Sequence, residues 1–384
     1  MDITGIATYN GTIRRRTIRH HPLPSNAPVI IMEQHLATLH PVTDPVDTER
    51  ALSLLLVAGA LDDPGLRRRI RRLHERSAAC AATPGGIWAP GGIITPEVRS
   101  TTALLIPQEE IGAAFRRLLR LAVSFECSLE GTPLHRAPSW PDCSERLDLP
   151  FRTASPARLL ERLAADAGLR RTFLFSLFVP RRHGASFDRY PGQGAFLRRW
   201  LGKSGSPRRE RLRCLDAACG AGEGSYGLAS LLLDAGFPPH CFQILGASRE
   251  PLEIFAAVHG FFPHDPPRQE VFRQIRDGLH AGGALTRIAF TAEELTAPER
   301  GERYDIILCN GILGGPFIHE RSALERAVAG ICRRLAAGGV VLAADRFHEG
   351  WKRSVPSERV GELFAAAGLR VEAAGEGIAG IRTG

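Results

Sequence analysis

The sequence predicts an α/β protein with a doubly wound, Rossmann-like parallel sheet, preceded by a mainly helical domain. Three observations predict this class. After Arg211, short apolar segments alternate with helical patterns, which is typical of a parallel sheet covered by helices on both faces. A buried strand, a glycine-rich turn and a helix start follow one another in residues 212–229. Before residue 150, apolar residues instead recur at helical spacing. We therefore predict a helical accessory domain at 1–150 and the α/β domain at 151–384.

Composition agrees with a globular protein of two domains. The chain has 384 residues, of which 44% are hydrophobic and 23% are charged. It contains no uncharged apolar run near the roughly 20 residues that a membrane-spanning helix needs, and its N-terminus lacks the apolar core of a secretion signal. The eight cysteines form no C-x-x-C pair, which is typical of reduced thiols. We expect a cytoplasmic protein without membrane insertion.

Three helices are predicted in the N-terminal part. The first begins at residue 47 or 48 and ends near Ala60, and the third runs from residue 108 or 109 to about 124. The second starts at Asp63-Pro64, because aspartate is a good N-cap and proline suits the first turn. It presents six arginines on one face, which we expect to be solvated. The proline-rich segment 131–150 is predicted to be a linker or a long surface crossing.

The elements of the α/β domain follow from apolar runs and turn residues. A helix is predicted at 156–167 before the sheet. The predicted strands are 212–217, 242–247, 287–290, 305–309 and 340–344, with two more in the tail between 369 and 381. The helices between them are predicted at 225–235, 251–259, 321–336 and 357–367.

The glycine turn indicates which cofactor binds. Gly220, Gly222 and Gly224 follow the first strand, and glycine allows the backbone to approach a bulky ligand. Their spacing is G-x-G-x-G, whereas a dinucleotide fingerprint is G-x-G-x-x-G, whose third position is Ser225 here. The pattern favours S-adenosylmethionine over NAD.

Ligands of open α/β sheets lie beyond the carboxyl ends of the strands, and these ends supply our candidate residues. Glu223 is expected to bind the ammonium of the cofactor, although a glutamate at a helix N-terminus is also favoured by the helix dipole. Ser248 and Glu250 are expected at the ribose hydroxyls, Glu294 and Leu295 at the adenine amine, and Cys309 and Asn310 at the methyl-transfer face. The full predicted cofactor site is Asp216, Ala218, Gly220, Gly222, Glu223, Gly224, Ser248, Glu250, Glu294, Leu295, Cys309 and Asn310.

Several runs resemble the CheR-type methyltransferases, which esterify glutamate side chains of bacterial chemotaxis receptors. Cys219-Gly-Ala-Gly-Glu-Gly-Ser-Tyr226 is similar to the first motif of that family, and Phe187-Asp-Arg-Tyr-Pro191 to its upstream Phe-Phe-Arg segment. Tyr304-Asp-Ile-Ile-Leu-Cys-Asn-Gly311 is similar to its Cys-Arg-Asn strand, and Ala336-Ala-Gly-Gly-Val340 to its later Gly-Gly turn. The resemblance covers about residues 185–350. It implies a class I methyltransferase sheet, S-adenosylmethionine as cofactor and O-methylation of a protein carboxylate.

The chain departs from that family at positions that bear on the substrate. Ser248 stands where the family has aspartate, and Gly311 where it has asparagine, for which Asn310 could substitute with an offset of one residue. Arg189 matches the motif arginine, and the resemblance implies that it holds the substrate carboxylate; a structural salt bridge is the alternative. We predict Arg189 and Asn310 as catalytic residues, and no general base is needed because a glutamate side chain is ionised near neutral pH.

Partners and rival functions stay open at this point. The net charge of +8 is concentrated between residues 181 and 213, which suits an acidic protein partner such as a receptor helix, or nucleic acid; a solvated arginine-rich connector is the alternative. The alternatives are a methyltransferase acting on a small molecule or nucleic acid, and a non-catalytic module that binds S-adenosylmethionine. Gly202-Lys-Ser204 lacks the first glycine of a phosphate loop, and His259 and His264 lack thiolate partners, so we predict no metal.

Overall fold

The computed structural model describes most of the chain. The described residues are 38–181, 187, 189–202, 211–295, 302–314, 318–345 and 355–383. Four of the ten basic residues in the stretch that we predicted to attract a partner lie outside them, namely Arg182, Lys203, Arg208 and Arg209, as does the start of the predicted helical domain. In the described part of the chain, no helix combines the length and apolar character needed to cross a membrane.

Seven strands form one mixed sheet in the order β3-β2-β1-β4-β5-β7-β6. The strands are β1 (Leu212–Asp216), β2 (Phe242–Ser248), β3 (Ile288–Ala292), β4 (Tyr304–Leu308), β5 (Leu335–Ala343), β6 (Leu369–Ala374) and β7 (Gly377–Arg382). The first five pair in parallel, whereas β7 runs antiparallel between β5 and β6. This order is the Rossmann-like fold of class I methyltransferases, and it confirms the predicted fold class.

The two strands of the tail differ from the predicted parallel sheet, because β7 is antiparallel to both of its neighbours. β6 and β7 form a hairpin with Ala374 paired to Gly377, so only two residues connect them. A connection this short joins antiparallel strands, because a parallel pair needs a crossover of about a dozen residues.

The helices before the sheet largely begin at prolines. They are α1 (Pro45–Leu55), α2 (Pro64–Ala81), α3 (Pro96–Leu105), α4 (Gln108–Ala122), α5 (Pro133–Arg136), α6 (Trp140–Glu145), α7 (Pro156–Ala165), α8 (Ala167–Phe178) and α9 (Pro191–Gly202). Asp63 caps α2 as predicted, accepting a hydrogen bond from the Leu66 amide at 2.6 Å. The helices around the sheet are α10 (Glu223–Asp234), α11 (Pro251–His259), α12 (Pro266–Ala281), α13 (Arg321–Arg334) and α14 (Ser357–Ala366).

The predicted linker at 131–150 is wrong. This segment contains α5, α6 and a 3-10 turn at Leu149–Phe151. Trp140 is buried within it, and its indole N–H donates to the carbonyl of Thr153 at 2.8 Å. Its prolines 133 and 141 occupy first-turn positions of helices, where proline is favoured, so a high proline content did not indicate an extended linker here.

Apolar residues alternate between the two faces of the sheet. In β4, Ile306 and Leu308 join the core shared with α10, α11 and α12, whereas Ile307 joins the core beneath α13 and α14. The first core is continuous from Leu52 in α1 to Ile381 in β7, so the N-terminal helices and the sheet share buried residues. Helices α7 and α8 pack in the N-terminal bundle, and the boundary at residue 150 stays a prediction.

Candidate functional site

Two glycines border open space where neighbouring strands diverge. β1 pairs with β2 on one side and with β4 on the other, so the connections that leave β1 and β4 separate at this point. A Cβ atom built on Gly220, after β1, would meet nothing closer than Oε1 of Glu253 at 3.9 Å. A Cβ atom on Gly311, after β4, would meet no atom of the described residues within 4 Å. We call this open space between the ends of β1 and β4 the crevice, and its binding of a ligand stays a prediction.

The other two glycines of the turn pack against the protein. Gly222 has φ +96°, and a Cβ atom there would lie 3.0 Å from Cβ of Ala257 and 3.2 Å from the Phe290 ring. A Cβ atom on Gly224 would lie 2.5 Å from Oδ2 of Asp216. The turn thus needs these glycines for its own packing, and their backbone contact with a cofactor stays a prediction.

Asp216 closes β1 beneath the crevice. Its Oδ2 accepts a hydrogen bond from the Ser225 hydroxyl at 2.9 Å, and the residue is almost fully buried. Burial raises the pKa of Asp216 to about 6, while the Ser225 hydrogen bond and the positive charge of Arg189 act in the opposite direction. The part of Arg189 as the predicted substrate arginine stays a prediction.

Glu223 forms an ion pair with Arg268 that the sequence did not predict. Its Oε1 accepts hydrogen bonds from Nε of Arg268 at 2.8 Å and from Nη2 of the same guanidinium. The Glu223 and Arg268 side chains are 10% and 9% exposed, so this is a buried ion pair between the first turn of α10 and the first turn of α12. Any ligand ammonium at Glu223 would meet a carboxylate already bonded to a cation.

A carboxylate that the sequence analysis missed faces the glycine turn. The Ser248 hydroxyl, at the end of β2, donates to Oε2 of Glu253 at 2.6 Å, and Oε1 of Glu253 is the atom nearest the open side of Gly220. Glu250, the predicted ribose ligand, instead caps α11 by accepting from the Leu252 amide at 3.3 Å. Glu253 lies in the middle of an apolar helical pattern, so only its position in the fold distinguishes it.

Glu250 gives a prediction about pH. Burial, with the nearby charge of Glu253, raises the pKa of Glu250 to about 8 from its ordinary value of 4.5. Between these values the unfolded carboxyl is ionised and the folded one is protonated, so stability should fall as the pH rises through this window. We expect the melting temperature of the wild type to fall more steeply from pH 5 to 8.5 than that of Glu250→Gln. If the melting temperatures of the two proteins fell equally with pH, this prediction would be contradicted. The titration of Asp216 affects the melting temperature of both proteins equally, so it does not contribute to the difference.

The ends of β3 and β4 hold the remaining predicted residues. Glu294 is exposed and Leu295 is partly buried directly after β3, while the adjacent Glu293 pairs with Arg334 at 2.5 Å. Cys309 is buried after β4. The positions fit the predicted strand-end sites, and contact with adenine stays a prediction.

Asn310 makes its hydrogen bonds within the protein. Its Nδ2 donates to Oε1 of Gln193 at 2.9 Å, and its Oδ1 accepts from Nε2 of Gln193 at 3.0 Å and from the Ala344 amide at 2.9 Å. Oxygens of Glu376, in the turn between β6 and β7, accept from the amides of Gly192 and Gln193. Asn310 therefore joins the end of β4 to the start of α9, and a direct part in catalysis stays a prediction.

Comparisons with known proteins give low similarities. No protein-family model and no curated protein matches the chain. Among solved structures, the [4+2]-cyclase SpnF is 18% identical over 47% of this chain and 59% of its own, with a TM-score of 0.31. The N-methyltransferase NodS from Bradyrhizobium japonicum WM9 is 15% identical over 52% and 97%, with a TM-score of 0.33. The sugar N-methyltransferase KedS8 from Streptoalloteichus sp ATCC 53650 is 17% identical over 53% and 90%, with a TM-score of 0.35.

The fold is defined by the strand order rather than by these similarities. The chain spans less than two thirds of the first two structures, SpnF and the StiE O-MT segment 942–1257, of which it covers 52%. The strand order, with antiparallel β7 between β5 and β6, identifies the class I methyltransferase fold. The resemblance to CheR-type enzymes in particular stays a prediction.

Proposed function

We propose that this chain is an S-adenosylmethionine-dependent methyltransferase. The observation that carries the proposal is the glycine turn at the strand divergence, where Gly220 borders open space and Glu253 faces it. Parallel α/β sheets bind nucleoside ligands at this position, because the backbone amides of the turn and the helix N-terminus point toward the ligand. S-adenosylmethionine supplies an electrophilic methyl group when bound.

The ribose hydroxyls are assigned to Glu253 in place of the predicted Glu250. A carboxylate accepts two hydrogen bonds from a pair of vicinal hydroxyls, and Glu253 faces the crevice while Ser248 fixes its other oxygen. Ser248 occupies the strand-end position where CheR-type enzymes have aspartate. The Ser248–Glu253 pair would place a carboxylate there despite the substitution.

We assign the methyl acceptor to a carboxylate of an acidic protein. The positive charge of Arg189 acts on Asp216 at the end of β1, and a guanidinium can hold a carboxylate by two parallel hydrogen bonds. Arg189 would orient the acceptor carboxylate, and S-adenosylmethionine would supply the methyl group that one carboxylate oxygen accepts. The acceptor is ionised at neutral pH, so alignment and exclusion of water are the main requirements.

Calorimetry tests cofactor binding, and methyl incorporation tests the proposed acceptor. We expect the purified chain to bind S-adenosylmethionine and S-adenosylhomocysteine, and to transfer labelled methyl groups to acidic proteins of a bacterial lysate. Alkali should release the label as methanol, because methyl esters hydrolyse in base. Alkali-stable label would reject the carboxylate acceptor in favour of a small molecule or nucleic acid. Binding without any transfer would support a non-catalytic module, and absence of binding would overturn the proposed function.

Glu253 gives a prediction for the cofactor site. Glu253→Gln should weaken binding of S-adenosylhomocysteine about tenfold, because hydrogen bonds to a charged acceptor are roughly twice as strong as neutral ones. Glu362→Gln, on the exposed face of α14, is the matched control and should bind normally. Equal affinities of the two variants, measured by calorimetry, would remove Glu253 from the site.

A further inference from the structure

The buried Glu223–Arg268 pair lies beside the glycine turn and leaves hydrogen-bonding capacity unused. Glu223 is the first residue of α10, directly after Gly222, so its carboxylate lies at the helix N-terminus that closes the turn. Arg268 reaches it from α12, and both of its bonds to Glu223 end on the same oxygen, Oε1. Oε2 therefore takes no part in the pair.

Arg268 is held rigidly and has a nitrogen without a partner. Its guanidinium lies over the Phe262 ring, 4.3 Å from the ring centroid, and 5.9 Å from that of Phe272. Nε and Nη2 bind Glu223, whereas Nη1 is buried and has no hydrogen-bond partner among the described residues. A buried N–H group without an acceptor is unfavourable, so this nitrogen is suited to an acceptor from outside the protein.

The unused groups match an amino-acid zwitterion. Nη1 of Arg268 offers N–H donors suited to a carboxylate, and Oε2 of Glu223 offers an acceptor suited to an ammonium. An ion pair of this kind is electrically neutral as a unit, as is a zwitterion, so binding buries no net charge. The Arg268 guanidinium binds Oε1 of Glu223, so Oε2 can still accept a hydrogen bond from a ligand ammonium.

We propose that Arg268 and Glu223 act as one unit that binds the amino-acid end of S-adenosylmethionine, Arg268 taking the carboxylate and Glu223 the ammonium. This inference rests on the proposed function, and it adds Arg268 as a residue that determines specificity. The chain should then distinguish ligands that carry the amino-acid group from nucleosides that lack it.

Two ligands test this difference directly. S-adenosylhomocysteine carries the amino-acid group, and 5′-methylthioadenosine has the same nucleoside without it. By calorimetry, Arg268→Met should bind S-adenosylhomocysteine at least tenfold more weakly than the wild type and bind 5′-methylthioadenosine with unchanged affinity. Arg273→Met, on the exposed face of the same helix, is the control and should bind both ligands normally.

The outcomes separate this inference from the proposed function. If the wild type binds neither ligand, the proposed function fails. If it binds both and Arg268→Met weakens both equally, or neither, the pair only joins α10 to α12 and the inference is overturned. If Arg268→Met does not fold, Arg268→Lys decides, because it keeps the charge but loses the forked donors. A selective loss of S-adenosylhomocysteine affinity in Arg268→Lys supports the inference, and equal affinities reject it.

Discussion

Gly222→Ala is expected to lower the free energy of unfolding by about 2–5 kcal/mol, as a backbone term of about 1–2 kcal/mol and an overpacking term of about 1–3 kcal/mol. The backbone has φ +96°, a conformation that L residues rarely adopt. The added methyl group would also lie 3.0 Å from Cβ of Ala257 and 3.2 Å from the Phe290 ring, both in the core beneath the turn. Urea denaturation measures the change.

Gly220→Ala is the matched variant, and it should change ligand affinity much more than stability. Its φ of +52° falls in the left-handed region and its Cβ would point into open space, so stability should fall by only about 1 kcal/mol. The methyl group would occupy the proposed ligand crevice, and the affinity for S-adenosylhomocysteine should fall at least tenfold. If Gly220→Ala binds normally, the turn is not the ligand site.

Arg170→Met is the second substitution with a large expected effect. Arg170 is 1% exposed and donates to four carbonyl oxygens, those of Val57, Gly59, Leu163 and Ala164, at 2.6–3.4 Å. These bonds join the chain after α1 to the end of α7. Methionine fills similar space but donates nothing. The buried bond to the Leu163 carbonyl and the partly buried bonds to Val57 and Gly59 would be lost, and an acceptor left without a partner costs up to about 1–3 kcal/mol. We expect a loss of about 3–5 kcal/mol, since such terms are not fully additive.

The adjacent arginine gives the control for this experiment. Arg171 is 37% exposed and contacts Glu49 at 3.4 Å, an arrangement worth at most about 1 kcal/mol. Arg171→Met should therefore unfold at nearly the wild-type urea concentration. Similar losses in both variants would show that the carbonyl contacts of Arg170 are not what stabilises the joint between α1 and α7.

The CheR-type resemblance illustrates the limits of motif reading in this chain. The motif residues Glu223 and Asn310 lie at the predicted strand and helix ends, yet both have protein partners that no motif describes. Arg268 is 45 residues from Glu223, and Gln193 is 117 residues from Asn310. Residue type and spacing indicate where a side chain lies along an element, but its partner depends on how distant elements pack.

The sequence by itself determined the five parallel strands, the glycine turn after β1 and the cap of α2, because apolar periodicity, glycine at positive φ and N-cap chemistry act over a few residues. Only the tertiary structure decided that Glu253 rather than Glu250 faces Gly220, that β7 runs antiparallel, and that the segment 131–150 forms helices with Trp140 in the core. These outcomes depend on contacts between segments far apart in the chain. Their free energies come from packing and burial that no local pattern records.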